Sequence, residues 1–398
     1  MKRNRVLMLL TAAVFVTAGG SIAQAGEQDG VTDNEILIGG MASITGPASN
    51  LGQQIDIAGK LGSKQVNDAG GIHGRKIKYI VGDDACGSSQ GLAVVKKLVH
   101  NDKVFALHGL ACSHVGMAIR PTLEKEGVPI IITIAQGDKI LIPHSKVLFR
   151  TLPPTNVTGT LTAKFMREYF PQKYTKIALI HTQEEYGSTG RDGLIKQLEK
   201  YNLKLMAVET HKIGDTDYSS QILKIKALNP EVLFTFSYTK DMALILKQSH
   251  ELGLDCIKIG YIGTNYTLVP TFAGMQALRK FYGPTPVLDT MGSERLKSFS
   301  DMYRKEFPDY MKNPLNPSDT DITTYVGFQV MVEALKRAGR DLTRTKYIQA
   351  LESIKDFKSP WMPPISFSAT QHEGILQERF VRYDTGEAKI IEKEIKMD

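Results

Sequence analysis

Short runs of apolar, β-favouring residues alternate with amphipathic stretches along the first part of the chain. The amphipathic stretches carry apolar residues near the spacing of one helix face. Strands are predicted at residues 35–40, 76–82, 104–110 and 129–133. Helices are predicted between them at residues 55–66, 91–100 and 116–125. This alternation predicts a parallel sheet covered on both faces.

The same alternation starts again after Arg150. Strands are predicted at residues 176–181, 204–209, 232–236 and 257–262, and helices at 156–169, 191–201, 219–228 and 242–252. The joining segment, residues 149–155, is short and contains two prolines, which stiffen it. We therefore expect a hinge strand between two α/β units. An ordinary loop within one sheet is the alternative.

The last part of the chain has a different pattern. Three helical segments without strong strands between them, at residues 294–307, 321–338 and 343–354, are expected to return and cover the first unit. The tail is β-like at residues 381–383 and 390–395, around the turn Asp384-Thr385-Gly386. The predicted fold class is α/β, with two units that are each a parallel sheet flanked by helices.

The N-terminus has the pattern of an export signal. Lys2, Arg3 and Arg5 precede an apolar stretch at residues 6–18, and Ala23-Gln24-Ala25 is a small-x-small cleavage site. Residues 1–25 are therefore a predicted signal peptide, and the mature chain is expected to be soluble and outside the cytoplasm. A retained anchor helix is the less favoured alternative, because the apolar stretch is short for a membrane span.

Charge and cysteine content narrow the possible partners. The 398 residues carry a formal net charge of +7, and three of the positive charges lie in the export signal. The remaining lysines are scattered among acidic residues, which predicts a solvated mixed surface and no nucleic-acid partner.

Export makes disulfides possible, and Cys86 and Cys112 each follow a predicted strand in consecutive βα units, so a bridge between them is plausible. Cys256 is expected to be a buried free thiol.

Catalytic and metal-binding signatures are weak. The chain lacks the nucleophile-elbow, phosphate-loop, dinucleotide-loop and zinc-helix motifs, so we do not expect an enzyme or a cofactor. Asp83-Asp84 could serve in acid/base chemistry, but a turn-forming role is favoured. The grouping of His108, Cys112 and His114 could suggest a metal, yet no fourth ligand is in view, and no metal site is predicted.

Binding features are stronger. Ligands of open α/β sheets lie beyond the carboxyl ends of the strands. Ser113 stands there at the start of a predicted helix, where free backbone N–H groups and the helix dipole favour a carboxylate. A plain helix cap is the alternative for Ser113. In the second unit Tyr186, Tyr238 and Tyr266 stand at loop positions, where they would form a flat wall with polar tips.

The order of several short motifs resembles the periplasmic branched-chain amino acid binding proteins of ABC transporters. The resemblance covers essentially the whole mature chain, and its motifs are fairly specific in combination. They are Thr45-Gly46-Pro47, Gly70-Gly71-Ile72-x-Gly74, Asp83-Asp84-x-Cys86, Cys112-Ser113 and Tyr186-Gly187.

This resemblance implies a type I periplasmic-binding-protein fold of two lobes joined by a three-strand hinge. The N-terminal lobe would comprise residues 26–150 plus 284–357, and the C-terminal lobe residues 151–283 plus 358–398. It also implies a Cys86–Cys112 disulfide, a monomer, and delivery of the ligand to a membrane permease.

The resemblance further implies that Ser113 and Ala135 hold the ligand's carboxylate and amine, and that Tyr186 and Tyr238 line the pocket from the second lobe.

The chain departs from its apparent relatives at three expected ligand-binding positions. Gly137 stands where the family often has threonine, and Leu51 stands near the position of a first-lobe aromatic residue. No acidic residue occurs around Asn265, where the partner of the ligand's ammonium would fall. An ammonium in a dry cleft needs a charged or well-oriented acceptor. A ligand without an α-amine is therefore an alternative to an amino acid.

We therefore expect a periplasmic substrate-binding component of an ABC transporter that closes over a branched-chain or other apolar amino acid. The first alternative keeps this role for an aromatic acid, a short aliphatic acid or an amide. The second, of another class, is a ligand-binding sensor for a membrane signalling partner.

Overall fold

The structure is a computed structural model that describes residues 29–260, 268–290, 292–313, 316–383 and 388–397. The predicted signal peptide, residues 1–25, lies outside the described residues. Within the described ranges no helix is both long enough and apolar enough to cross a membrane.

The first sheet has five parallel strands in the order β2-β1-β3-β4-β5. The strands are β1 Glu35–Ala42, β2 Lys76–Asp83, β3 Ala106–Gly109, β4 Ile130–Ile132 and β5 Leu148–Arg150. Three helices alternate with them, namely α1 Ser49–Asp68, α2 Ser88–Lys96 and α3 Ser113–Glu126. The inner strands are buried on both faces, which is why they are continuous apolar runs in the sequence. The predicted parallel sheet is confirmed.

The second sheet has seven strands in the order β12-β11-β10-β9-β8-β6-β7. The strands are β6 Ile177–Thr182, β7 Leu205–His211, β8 Val232–Phe236, β9 Ile257–Gly260, β10 Phe281–Thr285, β11 Gln377–Tyr383 and β12 Ala388–Lys396. The first five of these are parallel. Four of them, β6 to β9, were predicted, and β10 was not. The β-like tail extends the sheet as an antiparallel pair.

Five helices accompany the second sheet: α4 Thr155–Tyr169, α5 Glu185–Lys200, α6 Ser219–Ala227, α7 Thr239–Glu251 and α8 Leu268–Ala273. Helix α5 begins six residues before the start predicted for it. Its first half contains Gly187, Gly190 and Gly193, which have low helix propensity and hide the helical pattern. These glycines allow close packing on α4, because a Cβ on Gly193 would lie 2.0 Å from the carbonyl oxygen of Asn156.

The three C-terminal helices are α9 Glu294–Glu306, α10 Asp319–Ala338 and α11 Arg344–Glu352. Helix α10 covers the first sheet, as expected. The ring Nε2 of His108 on β3 lies 3.0 Å from the carbonyl oxygen of Thr324, and Gly327 packs against Thr133. Helix α10 begins two residues earlier than predicted, because Ser318 and Asp321 form a capping box.

The chain passes between the two sheets close to Arg150. The backbone N–H of Arg150 donates to the carbonyl of His372 at 2.9 Å, and the N–H of Gly374 donates to the carbonyl of Arg150 at 2.8 Å. In the segments that follow the other two predicted lobe boundaries, the N–H of Leu288 donates to the carbonyl of Trp361 at 2.9 Å. The lobe boundaries given above stay predictions.

Candidate functional site

A disulfide joins the loops that follow β2 and β3. Cys86 and Cys112 are bonded, with their Cα atoms 5.6 Å apart, as the resemblance implied. Cys112 is fully buried and immediately precedes helix α3. The bridge therefore ties the start of α3, where Ser113 lies, to the neighbouring loop. Cys256 is a buried free thiol, also as expected.

The two carboxylates before Cys86 are engaged in turn contacts. Asp84 is fully buried, accepts from the hydroxyl of Ser43 at 2.5 Å and accepts from the N–H of Cys86 at 2.8 Å. Burial raises the pKa of Asp84, and these two hydrogen bonds partly offset the effect. Asp83 accepts from the hydroxyl of Thr45 at 2.7 Å and from the N–H of Ala85 at 2.9 Å. These are the contacts expected of turn-forming residues.

Ser113 is the first residue of α3, and its hydroxyl oxygen accepts a hydrogen bond from the backbone N–H of Gly137 at 3.0 Å. Both residues are buried. A Cβ built on Gly137 would lie 2.8 Å from Cγ of Glu185 and 2.8 Å from Cβ of Ser113. A side chain at position 137 would therefore collide with Glu185 and Ser113. This gives a physical reason for glycine rather than threonine at this position.

A cleft between the two sheets holds most of the predicted ligand-binding residues. Its free space, with the solvent at its mouth, is about 530 Å³. The lining residues are Leu51, Ala111, Ile134, Ala135, Gln136, Leu152, Tyr186, Tyr238, Thr239, Pro286, Asp319, Thr320 and Thr323.

Four predicted site residues, Leu51, Ala135, Tyr186 and Tyr238, are therefore together in this cleft. Ser113 and Gly137 are not among the lining residues, and Asn265 lies outside the described residues. Contact of any of them with a ligand stays a prediction.

Two tyrosines form one wall of the cleft. The rings of Tyr186 and Tyr238 stack with their centroids 5.0 Å apart at an interplanar angle of 29°. Tyr186 lies in the first turn of α5, and not in a loop as predicted, while Tyr238 caps the start of α7. The stacked rings provide a flat apolar surface against which an aliphatic or aromatic group can pack.

The hydroxyl of Tyr238 reaches the other side of the cleft. It is buried, makes no hydrogen bond of normal geometry within the described part of the chain, and lies near the backbone N–H of Ser113. Burial raises the pKa of Tyr238, and the nearby N–H of Ser113 lowers it to a smaller extent. A neutral hydroxyl beside the N-terminus of α3 can donate a hydrogen bond to an anionic group bound there.

Two consecutive glutamates at the start of α5 contact loops of the first sheet. Glu185 places Oε2 3.0 Å from Nζ of Lys139 and accepts from the N–H of the same lysine at 3.3 Å. Glu184 places Oε2 3.1 Å from Nδ1 of His114, whose Nε2 lies 2.9 Å from the carbonyl oxygen of Cys86. These contacts join the start of α5 to the short helical turn after β4 and to the first turn of α3, next to the disulfide.

Residue-by-residue reading of the sequence missed four polar side chains of the cleft: Gln136, Asp319, Thr320 and Thr323. Gln136 donates through Nε2 to the carbonyl of Pro153 at 2.8 Å. The other three belong to the first turns of α10, almost two hundred residues along the chain from Ala135. The capping box of Ser318 and Asp321 is a local pattern that could have indicated a helix start, but it carries no information on where in the fold that start lies.

No group of three or more histidine, cysteine or acidic side chains within the described ranges is arranged to hold a metal ion. The three residues considered for a metal have other contacts. Cys112 is in the disulfide, His114 faces Glu184, and His108 lies 3.2 Å from the hydroxyl of Tyr79.

Comparison with known proteins identifies relatives of the whole described fold. A family model for periplasmic binding proteins matches residues 35–388. The leucine-, isoleucine-, valine-, threonine- and alanine-binding protein of Pseudomonas aeruginosa is 29% identical over 273 residues, which are 69% of this chain and 70% of that protein.

Solved structures share the fold at low sequence identity. A branched-chain amino acid transporter substrate-binding protein from Streptococcus pneumoniae, in complex with isoleucine, is 22% identical, with a TM-score of 0.77 over 90% of this chain and 99% of that one. A fatty acid ABC transporter substrate-binding protein from Thermomonospora curvata is 20% identical, with a TM-score of 0.83 over 94% and 95%. The type I periplasmic-binding-protein fold, with two lobes that each contain a sheet flanked by helices, is thereby confirmed.

Proposed function

The chain belongs to the periplasmic binding protein family, and from this we propose that it closes over a small apolar amino acid in the periplasm and delivers it to an ABC permease. The observation that carries the proposal is the cleft between the two sheets. One side of it presents Leu51 and Ala111, the latter two residues before the start of α3, and the other presents the stacked rings of Tyr186 and Tyr238.

The carboxylate of such a ligand would be bound at the N-terminus of α3. The first N–H groups of a helix have no partner within the helix, and the helix dipole adds positive potential there. Ser113 supplies a hydroxyl and Tyr238 a second one close by. The ligand's side chain would pack between Leu51 and the tyrosine pair, because those surfaces are apolar.

Closure would be a hinge motion about the segments beside Arg150. A ligand shifts the equilibrium toward the closed form only if it binds that form more tightly. The ion pair of Glu185 with Lys139 and the contact of Glu184 with His114 connect the same two sides as the cleft. They support a closed form that is stabilised both by contacts with the ligand and by direct contacts between the lobes.

An acid without an α-amine is the competing ligand class. It rests on the absence of an acidic residue around Asn265 and on the fold shared with a fatty-acid-binding protein. The aromatic acids remain within this class, since a ring could stack on Tyr186. The structure adds an acid elsewhere in the cleft, Asp319, which favours the amino acid.

Thermal-shift and calorimetric titration of residues 26–398, stripped of co-purified ligand by unfolding and refolding, test the proposal. Leucine, isoleucine, valine and alanine are compared with 4-methylpentanoate, hexanoate and benzoate. A ligand at 100 times its Kd should stabilise the folded protein by about 2.7 kcal/mol. Stabilisation by an apolar amino acid is expected. If only the acids without an amine stabilise the protein, the amino acid assignment is wrong.

A further inference from the structure

Asp319 is a buried carboxylate in the wall of the cleft. It is the first residue of α10, is only 2% exposed, and lines the cleft together with Ala135 and Tyr238. Its Oδ1 accepts a hydrogen bond from the N–H of Thr320 at 2.9 Å. Within the described part of the chain no donor is bonded to its Oδ2.

The helix does not need Asp319 as its cap. Asp321 has that role, because it accepts from the N–H of Ser318 at 2.7 Å and from the hydroxyl of Tyr310 at 2.8 Å. The hydroxyl of Ser318 adds a third hydrogen bond to Asp321 at 3.2 Å. Capping therefore explains the acid at position 321, whereas within the described part of the chain Asp319 accepts one local hydrogen bond, from the N–H of Thr320.

Asp319 also has no counter-ion. Among the described residues no lysine, arginine or histidine forms an ion pair with it, and the charged group that acts on it is another acid, Asp321. Burial, with a smaller contribution from Asp321, raises the pKa of Asp319 to about 7. Burying an unpaired carboxylate is costly, and a cation that enters the cleft would offset this cost.

We infer that Asp319 accepts the ammonium group of the ligand and so makes this cleft selective for amino acids over acids that lack the amine. The inference rests on the proposed function and names its ligand class. The acceptor would come from α10, which covers the first sheet, so that the same lobe holds both charged ends of the ligand. The carboxylate would lie at the start of α3, and the ammonium at the start of α10.

This arrangement assigns the opposite lobe a different task. The second sheet contributes the rings of Tyr186 and Tyr238 to the cleft and no charged side chain among the described lining residues. An amino acid could therefore bind its charged ends to the first lobe before closure, and the tyrosines would then cover its side chain. Binding would not require an acid around Asn265.

The test compares two ligands that differ only in the amine, leucine and 4-methylpentanoate, in wild-type protein and in Asp319→Asn. Asparagine keeps the size of the side chain and removes its charge. Calorimetry should give wild-type protein at least a tenfold preference for leucine. Asp319→Asn should weaken leucine binding at least tenfold and change the affinity for 4-methylpentanoate by less than threefold.

Asp321→Asn is the matched control, because it removes the neighbouring buried acid outside the cleft lining. It should lower the melting temperature and retain the preference for leucine. Circular dichroism verifies that both variants are folded, and Asp319→Ser provides a second, smaller replacement that should also lose the preference.

The outcomes separate the inference from the proposed function. If wild-type protein binds amino acids and Asp319→Asn binds leucine as tightly, or loses both ligands equally, the inference alone is overturned. If wild-type protein binds no amino acid, the proposed function and the inference both fail.

Discussion

The backbone N–H of Gly137 donates to the hydroxyl oxygen of Ser113 at 3.0 Å, so two residues expected to bind the ligand are first of all bonded to each other. The bond connects the start of α3 to the loop that follows β4. Ser113 therefore supports the loop as well as offering a hydroxyl to a ligand, and its replacement affects both.

Ser113→Ala should lower stability as well as ligand affinity. The change leaves the buried N–H of Gly137 without its acceptor, which typically costs about 1–3 kcal/mol. Urea unfolding of the ligand-free protein measures this loss. Ser88→Ala is the control, since its hydroxyl makes an exposed, long contact of 3.4 Å with the carbonyl of His114. An unchanged unfolding midpoint in Ser113→Ala would contradict the supporting role.

Lys139→Ala should weaken ligand binding slightly by removing a contact of the closed form. The lysine side chain is 70% exposed and that of Glu185 only 5%. Because an exposed partner is screened by solvent, we expect a roughly two- to fivefold rise in Kd that shrinks at high salt. Lys125→Ala is the control, because this lysine is exposed and is paired with the adjacent Glu126. Equal effects of the two variants would show that the Lys139 pair does not stabilise closure.

Glu378→Gln should make stability less dependent on pH. Glu378 is buried beside Thr158, which donates to it at 2.6 Å, and burial raises its pKa from 4.5 to about 8. Between these values the unfolded chain loses a proton that the folded chain keeps, so wild-type stability falls as the pH rises through this window. The variant should lack this fall and gain stability relative to wild type at pH 8.

Chemical unfolding at pH 5 and pH 8 measures the free energy of unfolding of wild type and of Glu378→Gln. The change in wild-type stability between these pH values is several kcal/mol at most, since each pKa unit corresponds to about 1.4 kcal/mol. Glu231→Gln is a control of opposite sign. Hydrogen bonds from the backbone N–H groups of Lys176 and Thr175 lower the pKa of Glu231, so its neutral replacement should lose stability at pH 8. Parallel pH profiles for wild type and Glu378→Gln would refute the assignment.

Replacing both Cys86 and Cys112 with serine should destabilise the protein by roughly 3–4 kcal/mol. The bridge closes a loop with a sequence separation of 26, and a disulfide acts mainly by restricting the unfolded chain. Denaturant unfolding with and without reductant measures the loss. Reductant should destabilise wild type and the control Cys256→Ser, and should leave the double variant unchanged. A double variant that remains sensitive to reductant would exclude this bridge as the cause.

Strand and helix periodicity predicted most strands of both sheets, but not β10. The strands β1 and β2 and the helices α9 and α10 occur within a few residues of their predicted bounds, because each combines clear periodicity with strong end signals. The start of α5 was not predicted because its glycines have low helix propensity. The same glycines allow close packing of α5 on α4. That packing depends on the tertiary structure and is invisible in a local window.

The candidate site was predictable in part. Leu51, Ala135, Tyr186 and Tyr238 were named from motif order and do line one cleft. Asp319 was not named, because only the return of α10 to the first sheet brings it beside Ala135. Because Ala135 and Asp319 are far apart in the sequence, no local pattern indicates that they line the same cleft.

The sequence by itself determined the class of fold, the order of its elements and the pair of cysteines that close a loop. These depend on short-range periodicity, on turn residues and on motif order. Only the tertiary structure decided that Ser113 and Gly137 bond to each other, and that Asp319 lines the same cleft as the stacked tyrosines without a counter-ion among the described residues. The reason is that the burial and electrostatics of a side chain are set by neighbours that the chain brings together from distant positions.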